Sequence, residues 1–333
     1  MRVVDLRFSL IINNYNYADY IGQAIESALS QRDVDVEVIV VDDGSIDNSR
    51  EVIDRYPEVR AIYQDNQGQC RAFRTGLSEA TGDILIQIDS DDLLMPDACS
   101  VIASLWSSDT TYAQFQLIAF SDQRGEIGRI PSASFTQDHV AHLIRKGRFP
   151  YSPTTGNAYS TAVVKQIMDV VNPPDRFSPD GLLMTCAPLA GRSVAISKSL
   201  GRYRIHDQNF SWGVSLEFSY NTAKVIRDGA FKYAGVIGRP MPANALVGQR
   251  STFATALKLF SLGSQLVNIE ECRRNARFAW QAGLLDSSAP IRDRVKLMLS
   301  GSLFMAMPRL AARIFRRQVK WSNSPNDNIR QVT

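Results

Sequence analysis

Ile84-Leu85-Ile86-Gln87-Ile88 followed by Asp89-Ser90-Asp91-Asp92 is the stretch that decides the fold: an apolar run suited to a buried strand surfaces directly into three carboxylates. In an extended segment residues i and i+2 share a face, so Asp89 and Asp91 point one way and Ser90 the other. Like charges this close are costly unless something offsets them. A divalent cation held by one or two carboxylates, its shell completed by substrate phosphates, is the usual solution. The tetrad alone is also compatible with a solvated acidic turn, so its surroundings have to decide.

Upstream, strand-like runs occupy 8–12, 36–41 and 59–63, and helical periodicity occupies 20–30, 48–56, 69–79 and, beyond the tetrad, 96–106. That alternation predicts an open, mixed but mainly parallel sheet with helices on both faces, in which ligands bind beyond the carboxyl ends of the strands. The polar clusters fall at those ends. Asn13-Asn14-Tyr15-Asn16 follows the first strand, Asp42-Asp43-Gly44-Ser45 the second, Asp65-Asn66-Gln67-Gly68 the third and the acidic tetrad the fourth. All four converge on one rim.

From 112 to 212 the pattern is mixed: strand-like at 112–120, punctuated by Gly and Pro, helical at 161–168 and 182–190, strand-like at 194–196. This part is expected to complete the same domain, 1–213, and to supply its acceptor side. Helical periodicity dominates 214–321, with a break near Met241-Pro242, and 322–333 reads as a polar, disordered tail.

A chain of 333 residues at 44% hydrophobic and 21% charged is long enough for a full α/β core plus an appendage. The formal charge of +3 argues against nucleic-acid binding through many phosphate contacts. Cys70, Cys99, Cys186 and Cys272 show no metal-ligand spacing and read as isolated thiols in a reducing compartment. Met1-Arg2 leads straight into a strand pattern without a signal segment, and no run reaches membrane-spanning length, so a cytoplasmic location is expected.

Asp42-Asp43-Gly44-Ser45 with Asp47 places carboxylates and a permissive glycine at a strand-to-helix turn, where Ser45 or Asp47 is also suited to capping the next helix. Taken with Asn14-Tyr15-Asn16, Asn66-Gln67-Gly68-Gln69, Ala72-Phe73, Gly76, Thr81-Gly82-Asp83 and the tetrad, the order and spacing resemble the family 2 glycosyltransferases over roughly residues 8–212. The resemblance implies a GT-A fold, Rossmann-like, that binds a nucleotide-sugar and transfers the sugar with inversion. It implies that Asp42 and Asp43 contact base and ribose, with the backbone near Asn14 lining the same pocket. Asp89 would reach the ribose or the metal, Asp91 would bind Mg²⁺ or Mn²⁺ across the diphosphate, and Asp92 would orient the donor sugar or cap a helix. A metal on the departing diphosphate stabilises the charge that develops there.

Inverting transfer also needs a base for the acceptor hydroxyl. By the same resemblance the candidate is Asp180 in Phe177-Ser178-Pro179-Asp180-Gly181, where Pro179 replaces the Glu that often precedes the base; its structural alternative is a helix cap. Thr155-Gly156-Asn157 resembles the stretch beside the acceptor pocket, with Gly156 permitting close backbone approach and Asn157 following it; an ordinary strand start is the other reading. Tyr203-Arg204-Ile205-His206-Asp207-Gln208-Asn209 resembles the YRxHxxN stretch, whose His contacts the metal or the diphosphate. Arg71 and Arg74 either reach phosphate or base, or face solvent.

Between 291 and 321 apolar residues such as Leu297, Leu303, Phe304, Ile314 and Trp321 mix with Arg292, Arg294, Lys296, Arg309, Arg313, Arg316, Arg317 and Lys320, offset only by Asp293. This predicts helices lying in the interface of an anionic leaflet, or alternatively a packed helical pair with a basic face. The function expected is thus a metal-dependent inverting glycosyltransferase that uses a nucleotide-sugar, a UDP-sugar as the commonest case. Its acceptor would be a saccharide or lipid-linked saccharide in polysaccharide synthesis at the inner membrane face. The alternative is a non-catalytic nucleotide-sugar-binding subunit. A signalling receiver domain fits the spacing of Asp42 to Asp89 poorly, and a nucleotidyltransferase would carry a Gly-rich basic loop near the N-terminus that is absent.

Overall fold

The computed structural model describes residues 6–132, 138–146, 151–207 and 216–242, together with a few isolated positions elsewhere. The basic stretch at 291–321, the polar tail, Cys272, Gln208 and Asn209 lie almost wholly outside the described residues. The chain separates into two compact units, Met1–Gln137 with Pro150–Asp207, and Asp138–Phe149 with Gln208–Thr333.

The first unit is a mixed α/β body. Its apolar runs form β1 (Arg7–Asn14), β2 (Asp35–Asp43), β3 (Arg60–Gln64) and β4 (Ile84–Asp89), a parallel set in the order β3-β2-β1-β4. Between them run α1 (Ala18–Leu29), α2 (Ser49–Ile53) and α3 (Gln69–Glu79). Because β2 lies on one side of β1 and β4 on the other, the chain reverses its direction of winding at β1, and a crevice opens at the carboxyl ends there. β1, β2 and β4 are buried on both faces over most of their length, which is why they read as apolar runs, whereas the edge strand β3 is partly exposed. Phe8, Leu10, Ile12, Val38, Val40, Ile84, Ile86 and Ile88 pack on Ile21, Ala24, Ile25 and Ala28 of α1, with α4 (Ala98–Leu105) contributing Ile102. On the opposite face α3 packs over β1 and β2.

Beyond β4 the sheet continues β8-β6-β9-β5, where β5 is Leu93–Leu94, β6 Thr110–Ser121, β8 Asn157–Ser160 and β9 Arg192–Arg204. The short β8 runs antiparallel to both β4 and β6, whereas β6 and β9 are parallel. The hairpin strand β7 (Gly125–Ile130) pairs with β6 off this path. Helices α6 (Thr161–Val171) and α7 (Asp180–Ala190) complete the unit. The mixed, mainly parallel architecture is the one expected; β5 and β7 are short strands that the sequence did not mark, and β8 opens at Asn157, the strand start that was the other reading of that stretch. Cys70, Cys99 and Cys186 are buried free thiols.

In the second unit the described residues form α5 (His139–Lys146) and α8 (Leu216–Val236). Along α8, Tyr220, Ala223, Ala230, Tyr233 and Ala234 form its buried face. No helix among the described residues is long and apolar enough to cross a membrane.

Candidate functional site

The loops after β1 and β2 are tied together by hydrogen bonds. Asn14, at the end of β1, donates through Nδ2 to Asp42 Oδ1 at 2.8 Å. Ser45 donates to the same carboxylate through its backbone N–H, 3.1 Å, and through its hydroxyl, 2.5 Å. The Ser45 hydroxyl also accepts from the Asn16 backbone N–H at 2.8 Å, and the Asn16 side chain accepts from the Ile46 N–H at 2.8 Å. Asp47 accepts from the first N–H of α1, Ala18, at 2.9 Å and from the first N–H of α2, Ser49, at 3.0 Å. One carboxylate thus meets orphan donors at the start of two helices. Burial raises the Asp47 pKa, but these hydrogen bonds outweigh it and the net shift is downward.

Asp43 faces the next loop. It accepts from Gln64 Nε2 at 2.7 Å, from the Gln67 N–H at 2.9 Å and from the Gly68 N–H at 2.8 Å. Asp42 and Asp43 are only 4% and 5% exposed. Their carboxylates shape the loops at the crevice. Gly68, at φ +101°, opens α3, and a Cβ there would lie 2.7 Å from the Arg176 side chain, so this turn requires glycine. Arg74, whose role the sequence left open, donates to Asn172 Oδ1 at 2.9 Å and to the Pro173 carbonyl at 3.3 Å. It tethers the turn after α6, where Asn172 adopts a left-handed conformation.

The tetrad after β4 is organised differently. Asp89 is at the partly exposed rim, whereas Asp91 and Asp92 are buried. The Asp89 carboxyl is pushed up to about 8, first by burial, then by the charges of Asp91 and Asp180. Asp92 is also pushed well above the ordinary carboxylate range, by burial and then by Asp91 and Asp89. Both shifts come first from burial and then from the neighbouring carboxylates. The Tyr17 hydroxyl is raised by burial and then by the same Asp91 and Asp89.

Asp180 is the first residue of α7, and its charge contributes to the upward shift of Asp89. The Ser178 hydroxyl donates to Asp180 Oδ1 at 2.5 Å. His206, just past β9, approaches Asp91 Oδ2 with Nε2 at 2.9 Å and stacks on the Tyr20 ring, centroids 4.7 Å apart. The structure therefore brings Asp91 and His206 together at the carboxyl end of β4, where Asp89 and Asp92 also lie and where the charge of Asp180 acts on Asp89, while Asn14, Asp42 and Asp43 lie at the neighbouring ends of β1 and β2.

The acceptor-side pair is deep in the protein. The space where a Gly156 Cβ would sit is taken by Ser152, 2.3 Å away, and by the Phe115 carbonyl at 3.0 Å. The close approach that Gly156 permits is to Ser152 and the Phe115 carbonyl. Asn157 is fully buried; its Nδ2 meets the carbonyls of Ser152, Pro153 and Thr154 at 3.3, 2.7 and 3.2 Å, and its Oδ1 accepts from the Tyr112 hydroxyl at 2.8 Å. Asn157 acts on the site by holding the 152–156 turn. Within that turn the Thr155 hydroxyl donates to Asp92 Oδ2 at 2.7 Å and accepts from the Asp89 N–H at 3.1 Å. Sequence reasoning quoted Thr155 but gave it no role, and it passed over Tyr17 and Tyr20. No spacing signal marks them, because each meets the tetrad only through the tertiary fold.

Of the three side chains expected to hold a cation, Asp91 and His206 meet directly, and no group of three or more close-set potential ligands occurs among the described residues. The donor set fits a hard cation that takes the rest of its shell from a bound phosphate, and falls short of an all-protein cage.

A model of the family described as Glycosyl transferase family 2 matches residues 9–167. An uncharacterized glycosyltransferase of Nostoc sp. is 30% identical over 228 residues, 66% of this chain and 71% of that protein. Chondroitin synthase of Pasteurella multocida is 40% identical over 109 residues, which is 32% of this chain and 11% of the synthase. Among solved structures, S. aureus TarS residues 1–349 in complex with UDP-GlcNAc superposes with a TM-score of 0.60 at 18% identity, covering 95% of this chain and 92% of that one. That likeness shows the GT-A fold.

Proposed function

The chain belongs to glycosyl transferase family 2, and we propose that it transfers a sugar, with inversion, from a UDP-sugar to a saccharide or lipid-linked saccharide acceptor in polysaccharide synthesis. The observation that carries this is the Asp91–His206 pair at the carboxyl end of β4, 2.9 Å apart. The charge of Asp180, the candidate base, acts on Asp89 beside that candidate diphosphate site. Saccharide synthases among the relatives, and a structural neighbour with UDP-GlcNAc bound, support the substrate class.

In this reading the base and ribose occupy the crevice shaped by Asn14, Asp42 and Asp43. Asp91, with Asp89 and His206, would hold Mn²⁺ or Mg²⁺, which supplies positive charge to the diphosphate as it leaves. Asp180 takes the proton from the acceptor hydroxyl, and the Ser178 hydroxyl fixes one of its oxygens for that task. Asp92, tied to Thr155 and to the Arg204 N–H, sets the turn that carries Asp91. Gly156 and Asn157 shape the acceptor side through the 152–156 turn. We further propose a catalytic domain over 1–213, a helical region over 214–321 that meets the inner face of the cell membrane through its basic residues, and a cytoplasmic location.

Calorimetric titration of UDP, GDP and dTDP, with and without Mn²⁺, tests the donor site without knowledge of the sugar. Metal-dependent binding of one nucleotide, lost in Asp91→Asn, is expected. Folded protein that binds none of them with metal present would overturn the reading.

A further inference from the structure

We propose that Arg204 is a positioning residue for the cation and diphosphate end of the site, acting through the Asp91–Asp92 peptide and through α1; the inference rests on the donor-site reading above. Arg204 ends β9 and is only 1% exposed. A buried guanidinium is costly unless its N–H groups are met. Its Nε donates to the main-chain carbonyl of Asp91 at 3.0 Å, and its backbone N–H donates to Asp92 Oδ1 at 3.0 Å. Its Nη2 donates to Gln23 Oε1 on α1 at 2.8 Å, and its Nη1 meets the Asp122 carboxylate.

The guanidinium also lies 5.1 Å from the centre of the Tyr20 ring, the same ring that stacks on His206. One side chain therefore fixes the peptide from which Asp91 and Asp92 diverge. It also fixes the helix face whose aromatic ring braces His206 against Asp91. The ion pair with Asp122 does not account for burying this charge, since the Asp122 side chain is 64% exposed and such pairs contribute little. What an arginine supplies here is several donors in one rigid fork, aimed at the Asp91 carbonyl and at α1 together. Partners that orient metal ligands without touching the metal commonly change metal affinity by about 10–100-fold when removed.

The test compares wild type, Arg204→Lys and Gln23→Leu by calorimetry of UDP with and without Mn²⁺, alongside thermal unfolding of each. Lysine keeps the charge and loses the fork; Gln23→Leu removes one partner of the fork at an exposed position and carries the test if Arg204→Lys does not fold. The expected result is a loss of about tenfold or more in Mn²⁺-dependent UDP affinity for Arg204→Lys and a smaller loss for Gln23→Leu. Metal-free UDP affinity should be unchanged in both. Folded variants with wild-type metal dependence would overturn the inference, as would equal losses with and without metal. Wild-type protein that binds UDP without any metal dependence would overturn the donor-site reading itself.

Discussion

The two halves of the crevice carry similar numbers of acids and use them in opposite ways. At the ends of β1 and β2, Asp42, Asp43 and Asp47 are surrounded by N–H and hydroxyl donors that stitch the loops into one surface. At the end of β4, Asp89 and Asp92 face Asp91, with Asp180 also turned on Asp89, and their pKa values rise. The first group is built to be complete in the free protein. In the second, Asp92 is met by Thr155 and the Arg204 N–H, while Asp89 is held far above the ordinary carboxylate range by burial and by the neighbouring charges; in the proposed reading these are the acids that take up a cation.

The sharpest way to break that division is at Asp180. Asp180→Asn should lower transfer by about 10²–10⁴-fold while nucleotide affinity stays near wild type, measured by initial rates and by calorimetry. A similar loss of nucleotide affinity would move Asp180 from base to pocket. Next in size, His206→Ala should raise the Mn²⁺ concentration needed for half-maximal activity by about tenfold, read from a metal titration; an unchanged titration would leave Asp91 without that partner.

Stability separates the halves further. Asp43→Asn replaces an acceptor that meets the Gly68 N–H, leaving donor against donor, and should cost about 2–4 kcal/mol in denaturant unfolding. Asp89→Asn should instead stabilise the metal-free protein near neutral pH. The folded Asp89 carboxyl sits at about 8, against roughly 4 in an unfolded chain. Between those values the folded protein keeps a proton that the unfolded chain has released, so the Asp89 contribution to stability falls as pH rises and levels off above the folded value. The gap between Asp89→Asn and wild type should therefore widen from pH 4 to 8 in thermal unfolding. Asp47, shifted downward, carries the opposite sign: its contribution is present above its unfolded value and is lost as pH falls. The smallest effect is expected at Arg74, where Arg74→Ala should cost about 0.5–1.5 kcal/mol and leave nucleotide affinity unchanged.

The parallel half of the sheet was legible in the sequence because β1, β2 and β4 are buried on both faces over most of their length and leave apolar runs. In the other half β6 and β9 were marked by the strand-like runs at 112–120 and 194–196, and the short strands less so. β8 has only four residues, Asn157–Ser160, and β7 is largely exposed. The acids of the crevice stand out in the sequence, but whether they are satisfied does not. Asp43 is completed by Gln64, Gln67 and Gly68, and Asp89 is opposed by Asp180 from a distant helix. Arg74 illustrates the limit: its partners Asn172 and Pro173 come from the turn after α6, and no local pattern foretells them.

The central claim is that the acids after β4 wait for a cation and a diphosphate. Crystals grown with Mn²⁺ and UDP, measured at the manganese absorption edge, test it most directly. An anomalous peak in contact with Asp91, with the diphosphate oxygens completing its shell, is the predicted result. UDP bound in the crevice with no manganese at Asp91 would contradict it.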